Sequence, residues 1–149
     1  MLTMRRVFIS SDHAGVELRL LIKKYLENMG YHVEDFGCDP HNTSAVDYPD
    51  CVREVVLNVS MGNGIGVLIC GTGIGMSIAA NRNTKIRAAL CSTVTLSRLA
   101  REHNDANILC LGARYLDPDR AKSILHTFIS TEFSGGRHLE RVKKLSIIP

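Results

Sequence analysis

The chain reads VLICGTGIGMS over residues 67–77, so an apolar run ends on Cys70 and passes directly into three alternating glycines. Such a run before glycine is typical of a buried strand, and SIAAN at residues 77–81 predicts a helix. Glycines let the backbone approach a ligand closely, and N–H groups at the start of a helix attract negative charge. The turn is therefore a candidate anion pocket. Because a helix N-terminus favours thiolate, Cys70 is a candidate base or nucleophile there.

The composition is that of one globular domain over residues 1–149. The hydrophobic fraction of 45% is ordinary for a soluble protein, and no stretch approaches the ~20 apolar residues of a membrane span. The opening MLTMRR does not resemble a secretory signal, so we expect a cytoplasmic protein without a membrane partner. A net charge of +3 without a long basic run gives a nucleic-acid partner little support. The five cysteines include no Cys-x-x-Cys pair, so neither a disulfide framework nor a metal site is predicted.

Strand and helix patterns alternate along the chain. Apolar runs predict strands at residues 6–11, 31–36, 65–70, 86–91 and 107–111. Apolar spacing and end signals predict helices at residues 16–29, 49–60, 77–83, 94–103 and 118–133, and a last short helix that contains Arg137 and Arg141. A polar loop is expected at residues 37–48. The alternation predicts an α/β fold with a five-stranded parallel sheet.

Polar or glycine-rich turns follow four of the predicted strands. They are residues 12–13, 70–75, 92–93 and 112–114. Ligands bind beyond the carboxyl ends of parallel strands, so we expect the site at this rim. A dinucleotide site is disfavoured, because the spacing is Gly-x-Gly-x-Gly and residues 91–93, about 20 positions further on, include no acid. A glycine turn without any ligand is the structural alternative.

Several polar residues have both a structural and a chemical interpretation. Asp12 can cap a helix or act in catalysis, and His103 can belong to a polar turn or act as an acid. Arg137 and Arg141 are four residues apart, so they share one helix face that either is solvated or binds phosphate. A thiol base, an anion hole, a histidine acid and an arginine pair together suit proton transfer on a phosphorylated small molecule.

Five motifs, in order between residues 5 and 144, resemble those of the ribose-5-phosphate isomerase B family. They are SDHAG at 11–15, DYP at 47–49, ICGTGIGMSIAAN at 69–81, HNDAN at 103–107 and GGRH at 135–138. The resemblance implies a Rossmann-like three-layer fold and a homodimer with shared active sites, with a tetramer left open. It also implies interconversion of ribose 5-phosphate and ribulose 5-phosphate, in the non-oxidative pentose phosphate pathway, without metal or cofactor.

The resemblance further implies roles for individual residues. Cys70 would move a proton between C2 and C1 through an enediolate intermediate. His103 would open the furanose ring, assisted by Thr72 and Asp12, and N–H groups of the glycine turn would hold the oxyanion. The implied substrate-binding residues are Asp12, His13, Tyr48, Gly71, Gly73, Ile74, Gly75, Asn104, Arg114, Arg137 and Arg141. Among these, His13 and the three arginines would bind phosphate, and Tyr48 and Asn104 would place sugar hydroxyls.

The position of the base separates two branches of the family. One subgroup has serine at the position of Cys70 and a glutamate base at the position of Ile74, which cannot take a proton here. The resemblance therefore places the chain in the cysteine-dependent branch. Three alternatives stay open: an isomerase of allose or galactose 6-phosphate, a sugar-phosphate binding module without turnover, and a cysteine-based acyl-transfer enzyme.

Overall fold

The computed structural model describes residues 5–42 and 44–149. The strands are β1 Arg6–Ser11, β2 His32–Asp35, β3 Ile65–Cys70, β4 Ala88–Leu90 and β5 Ile108–Gly112. The helices are α1 Val16–Asn28, α2 Arg53–Ser60, α3 Ile74–Ala80, α4 Val94–Asn104, α5 Pro118–Ser130 and α6 Arg137–Leu145. The predicted domain 1–149 and the predicted loop 37–48 thus include positions, 1–4 and 43, that lie outside the described residues. None of the helices in the described ranges is long and apolar enough to cross a membrane.

All five strands form one parallel sheet in the order β2-β1-β3-β5-β4. After β1 the chain first forms β2 at one edge of the sheet. The strands β3, β5 and β4 then lie on the other side of β1. The carboxyl ends of β1 and β3 therefore flank the topological switch point, where open α/β sheets bind ligands. The predicted α/β class and five-stranded parallel sheet are confirmed.

Alternate strand residues face two separate apolar cores. Ile9 and Ile69 belong to the core shared with α1, α4 and α5, whereas Phe8 and Leu68 belong to the core shared with α2 and α3. The central strands are buried on both faces, which explains their continuous apolar runs. The sheet thus lies between two helical layers, as the resemblance implies, and α6 packs against α4.

Several predicted boundaries are wrong. The helix predicted at residues 77–83 is α3, which spans Ile74–Ala80 because it begins within the glycine turn. Residues 48–51 form a 3-10 turn and α2 begins only at Arg53, because proline fits the first turn of either helix type. α5 ends at Ser130 instead of residue 133, since Thr131 has an extended backbone. β4 is shorter than predicted because it lies at the edge of the sheet and pairs with β5 over only three residues.

Candidate active site

Cys70 ends β3 with a buried side chain, and the glycine turn folds over its sulfur. The Gly73 N–H donates a hydrogen bond to Cys70 Sγ over 3.1 Å. Gly73 has a φ of +78°, a left-handed conformation that favours glycine, and a Cβ there would lie 2.9 Å from the carbonyl carbon of Leu111. The turn therefore directs a backbone donor at the sulfur, and such a donor stabilises a thiolate.

Two N–H groups of the glycine turn are engaged within the turn itself. One is the Gly73 N–H on Cys70, and the other is the Ile74 N–H, which donates to Thr72 Oγ1 over 3.2 Å. The predicted oxyanion hole at residues 71–75 consequently has fewer available donors than its glycines suggest. Thr72 is half-buried in this turn, two residues after the thiol.

Two other glycines of the turn make room for large side chains. A Cβ on Gly75 would lie 2.7 Å from the ring of Tyr48, so this ring packs directly against the turn. A Cβ on Gly71 would lie 2.7 Å from Nη1 of Arg114, so the guanidinium lies over that residue. An aromatic ring and a cation thus flank the glycine turn that follows Cys70, as expected for a pocket that binds a sugar phosphate.

Asp12 and His13 follow β1 at the same edge of the sheet. Asp12 is 6% exposed, and its carboxylate accepts the Ala14 N–H over 3.0 Å, so it caps the 3-10 turn His13–Gly15 that leads into α1. The Asp12 N–H donates to the Ile69 carbonyl over 3.2 Å, so the residue is held beside β3. The exposed His13 accepts the Val46 N–H at Nδ1 over 3.2 Å, which leaves Nε2 to carry the proton of the neutral ring. We call Asp12, His13, Tyr48, residues 70–75 and Arg114 the thiol cluster.

A second polar cluster lies on α4 and α6. The ring of His103 stacks on that of His138, with centroids 4.3 Å apart and an interplanar angle of 14°. Burial of the ring, and then the positive charges of His103 and two arginines, lower the pKa of His138. A cavity of about 270 Å³ is lined by His103, Asn104, His138, Arg141, Val142 and Leu145. We call His103, Asn104, Arg137, His138 and Arg141 the histidine cluster.

The two clusters lie at opposite ends of the parallel strands, the thiol cluster at the carboxyl ends and the histidine cluster at the amino ends. Cys70 is paired with Gly112, so both residues lie at the carboxyl edge. α4 runs back from that edge and ends at Asn104, just before β5 begins at Ile108. Along β5 alone, the two edges are about 13 Å apart, at 3.3 Å per residue. Within one chain, the structure therefore does not bring the predicted acid of α4 to the predicted base.

Comparison with known proteins identifies the family. Residues 7–145 match the family described as Ribose/Galactose Isomerase. The chain belongs to this family. Among the relatives of this Ribose/Galactose Isomerase chain is the ribose-5-phosphate isomerase B of Escherichia coli, 38% identical over 97% of each chain.

Solved structures of Ribose/Galactose Isomerase relatives have the same fold. The ribose 5-phosphate isomerase B of Anaplasma phagocytophilum is 61% identical, with 97% of this chain and 99% of that chain covered and a TM-score of 0.92. The ribose-5-phosphate isomerase B of Mycoplasma genitalium, solved with bound ribulose-5-phosphate, is 36% identical, with 95% and 93% covered and a TM-score of 0.89. The family resemblance seen in the sequence motifs is confirmed.

The sequence alone did not predict that His138 belongs to the candidate site. The residue lies in the GGRH motif at residues 135–138, which by itself predicts no role for it. Its position offered a signal, because His138 precedes Arg141 by three residues and the two share one helix face. The stacking on His103, which belongs to a different helix, depends on the packing of α6 against α4.

Proposed function

We propose that this chain is an aldose-ketose isomerase that interconverts D-ribose 5-phosphate and D-ribulose 5-phosphate. Family membership and the names of its relatives support this substrate, and one relative was solved with bound ribulose-5-phosphate. The observation that carries the chemistry is the buried Cys70 at the switch point of the sheet, with a backbone N–H on its sulfur. A positioned thiolate in such a site is a suitable base for a carbon acid.

The proposed reaction moves one proton between two carbons. The Cys70 thiolate removes the proton from C2 of the open-chain aldose, and the electron pair moves toward O1 to form an enediolate. The thiol then returns the proton to C1, while the proton of the C2 hydroxyl moves to O1. Nothing is oxidised or reduced overall, so the reaction needs no redox cofactor. Before these steps, His103 would protonate the ring oxygen, with Thr72 and Asp12 assisting.

Groups that can donate to phosphate oxygens are present in both clusters, which suits a phosphorylated substrate. Arg114 and His13 lie in the thiol cluster, and Arg137 and Arg141 lie on α6 in the histidine cluster. Arginine forks bind phosphate oxygens in pairs, so they would orient the substrate as well as attract it. The proton is moved near C1 and C2, at the opposite end of the sugar from the phosphate.

We further propose that two copies of the chain share each active site, the thiol cluster of one facing the histidine cluster of the other. The distance of about 13 Å between the sheet edges supports this arrangement, because one small substrate cannot span it. Large apolar side chains also stand exposed at the thiol cluster: Ile74, which belongs to it, is 52% exposed, and Ile78 on the same helix is 59% exposed. A dimer is the simplest such assembly, and a tetramer built from dimers would contain the same sites.

We also propose a cytoplasmic location for the isomerase. All five cysteines are free thiols, and three of them are buried. Free thiols are typical of a reducing compartment, whereas secreted proteins commonly pair them.

The decisive experiment is an assay of ribulose 5-phosphate formation from ribose 5-phosphate in the presence of a chelator. We expect wild-type turnover to resist the chelator and Cys70→Ala to lose about 10³-fold or more of kcat, because the base is gone. Cys91→Ala, which removes a different buried thiol, serves as the matched control and should keep its activity.

Three other outcomes of this experiment would each lead to a different conclusion. Turnover of allose 6-phosphate or galactose 6-phosphate, with none of ribose 5-phosphate, would assign a six-carbon substrate. Binding of ribose 5-phosphate without any turnover would indicate a binding module. Full activity in Cys70→Ala would show that another residue is the base.

A further inference from the structure

α1 carries an arginine on its buried face. Arg19 is 2% exposed, although arginine is rarely buried unless its charge is paired. Arg19 is not among the residues proposed to bind the substrate or to transfer protons. A buried cation is costly, so its partners indicate what the molecule gains from it.

The Arg19 guanidinium joins three segments of the chain. Nη1 donates to Ser11 Oγ over 2.7 Å, and Nη2 donates to the Cys38 carbonyl over 2.6 Å. Nε lies 3.2 Å from Oδ1 of Asp35, which supplies the opposite charge. Gly37 lies so close that a Cβ there would overlap the guanidinium. One side chain thus connects the end of β1, the end of β2 and the loop that follows β2.

Two of these connections lead directly to the thiol cluster. Ser11 immediately precedes Asp12, the capping carboxylate at the switch point. The loop held at residue 38 continues to Val46, whose N–H donates to His13, and then to Tyr48, whose ring packs on the glycine turn. The buried guanidinium therefore anchors the start of a loop whose far end contacts the site. It also holds the strand end from which Asp12 and His13 extend.

We propose that Arg19 is a positioning residue for the isomerisation, acting through Ser11 on Asp12 and through Cys38 on the loop that contacts His13. This inference rests on the proposed function for its catalytic readout. The bonds of Arg19 to Ser11 and Cys38 serve the site, whereas its ion pair with Asp35 serves the stability of the fold.

Four variants separate these two contributions. Ser11→Ala removes one positioning bond and keeps the ion pair, and Asp35→Asn weakens the ion pair while the two positioning bonds stay. We expect Ser11→Ala to lower kcat/KM about tenfold, as for loss of a hydrogen bond to a charged group, and Asp35→Asn to change it less than about twofold. Asp35→Asn should nevertheless lower Tm at least as much as Ser11→Ala, because it leaves a buried cation unpaired.

Substitution of the arginine itself completes the set. Arg19→Met removes every contact and should lose more kcat/KM than Ser11→Ala, and Arg19→Lys should recover part of it because the ammonium retains the charge and can reach one acceptor. Arg98→Met is the matched control, since Arg98 forms an exposed ion pair with Glu102 on α4. We expect that variant to keep wild-type activity.

Hydrogen exchange of the Val46 amide provides a readout that needs no turnover. This amide donates to His13, so its protection reports how firmly the loop is seated. We expect about tenfold faster exchange in Arg19→Met and Ser11→Ala and little change in Asp35→Asn.

Two results would overturn the proposal. One is a loss of kcat/KM that follows Tm equally in all four variants, and the other is unchanged Val46 exchange in Arg19→Met. If the wild type turns over no sugar phosphate, the proposed function fails, and the exchange experiment alone decides the role of Arg19.

Discussion

Asp105 ends α4 directly beside the histidine cluster, and both its backbone conformation and its charge are constrained. It directly follows Asn104 and has a φ of +46°, the only non-glycine residue in the described ranges with a left-handed φ. Its carboxylate lies between two cations: Oδ2 is 3.2 Å from Arg87 Nη2, and Oδ1 is 3.2 Å from Arg101 Nη1. Aspartate tolerates this conformation better than most residues, so backbone and charge both favour it here.

Substitutions at Asp105 should separate the backbone contribution from that of the charge. Asp105→Gly accepts the left-handed conformation but loses the carboxylate, and Asp105→Ala loses both. We expect the free energy of unfolding, measured in urea, to be lowest for Asp105→Ala, about 1 kcal/mol below Asp105→Gly. Asp105→Asn, which tolerates the same φ, should be more stable than Asp105→Ala. Equal stability of the alanine and glycine variants would show that the backbone conformation carries no cost.

At the scale of the elements, the β4–β5 side of the sheet buries two thiols. Cys110 lies within β5 with no exposed surface, and Cys91 follows β4 with 2% exposed. Burial raises the pKa of Cys91 to about 11. Burial, and then the nearby Cys70 and Cys91, raise the pKa of Cys110 even more. Both thiols therefore stay protonated in the fold at a pH at which the unfolded chain has lost those protons.

Alkaline pH should consequently destabilise this sheet. Unfolded thiols ionise near pH 8.5, so above that value the unfolded chain binds fewer protons than the folded one, and stability falls as pH rises. We expect the free energy of unfolding, measured in urea under reducing conditions, to fall by up to about 1.4 kcal/mol per pH unit for each thiol. The free energy of unfolding should continue to fall up to about pH 11, the pKa of Cys91 in the fold. The Cys91→Ala variant should show a shallower slope, and an identical slope would assign the effect to other groups.

The elements that the sequence predicts best are those with local signals. β1 at residues 6–11 and β3 at residues 65–70 have the predicted bounds, because continuous apolar runs end there on polar or glycine residues. The start of α2 and the end of α5 were wrong, since a proline permits a 3-10 turn and Thr131 is extended by its tertiary surroundings. The local sequence does not determine where these two helices begin or end.

At the scale of the whole molecule, the rule for parallel sheets explains only part of the site. It correctly predicted that Asp12 and Cys70 lie at one edge, and the Asp12 N–H indeed bonds to the residue before Cys70. The same alternation carries His103 to the other edge, because α4 must run back before β5 begins. In the proposed dimer, the surface that faces His103 depends on how the two copies associate, and no local pattern in one chain reveals it.

A shared site makes a prediction about mixed assemblies. Cys70→Ala removes the base from the thiol cluster, and His103→Ala removes the acid from the histidine cluster, so each variant alone should be nearly inactive. In a heterodimer of the two, one site combines both defects and the other combines two intact clusters. We therefore expect doubly tagged heterodimers, co-expressed and purified through both tags, to regain about half of the wild-type activity.

The control for this experiment places both defects in the same cluster. Heterodimers of Cys70→Ala with Asp12→Asn have one altered thiol cluster at each site, so they should stay as inactive as their parents. Restoration in the first pair but not in the second would assign Cys70 and His103 to different subunits of one site. If neither pair regains activity, the two clusters do not meet across a subunit interface, and His103 then acts elsewhere than on the substrate of Cys70.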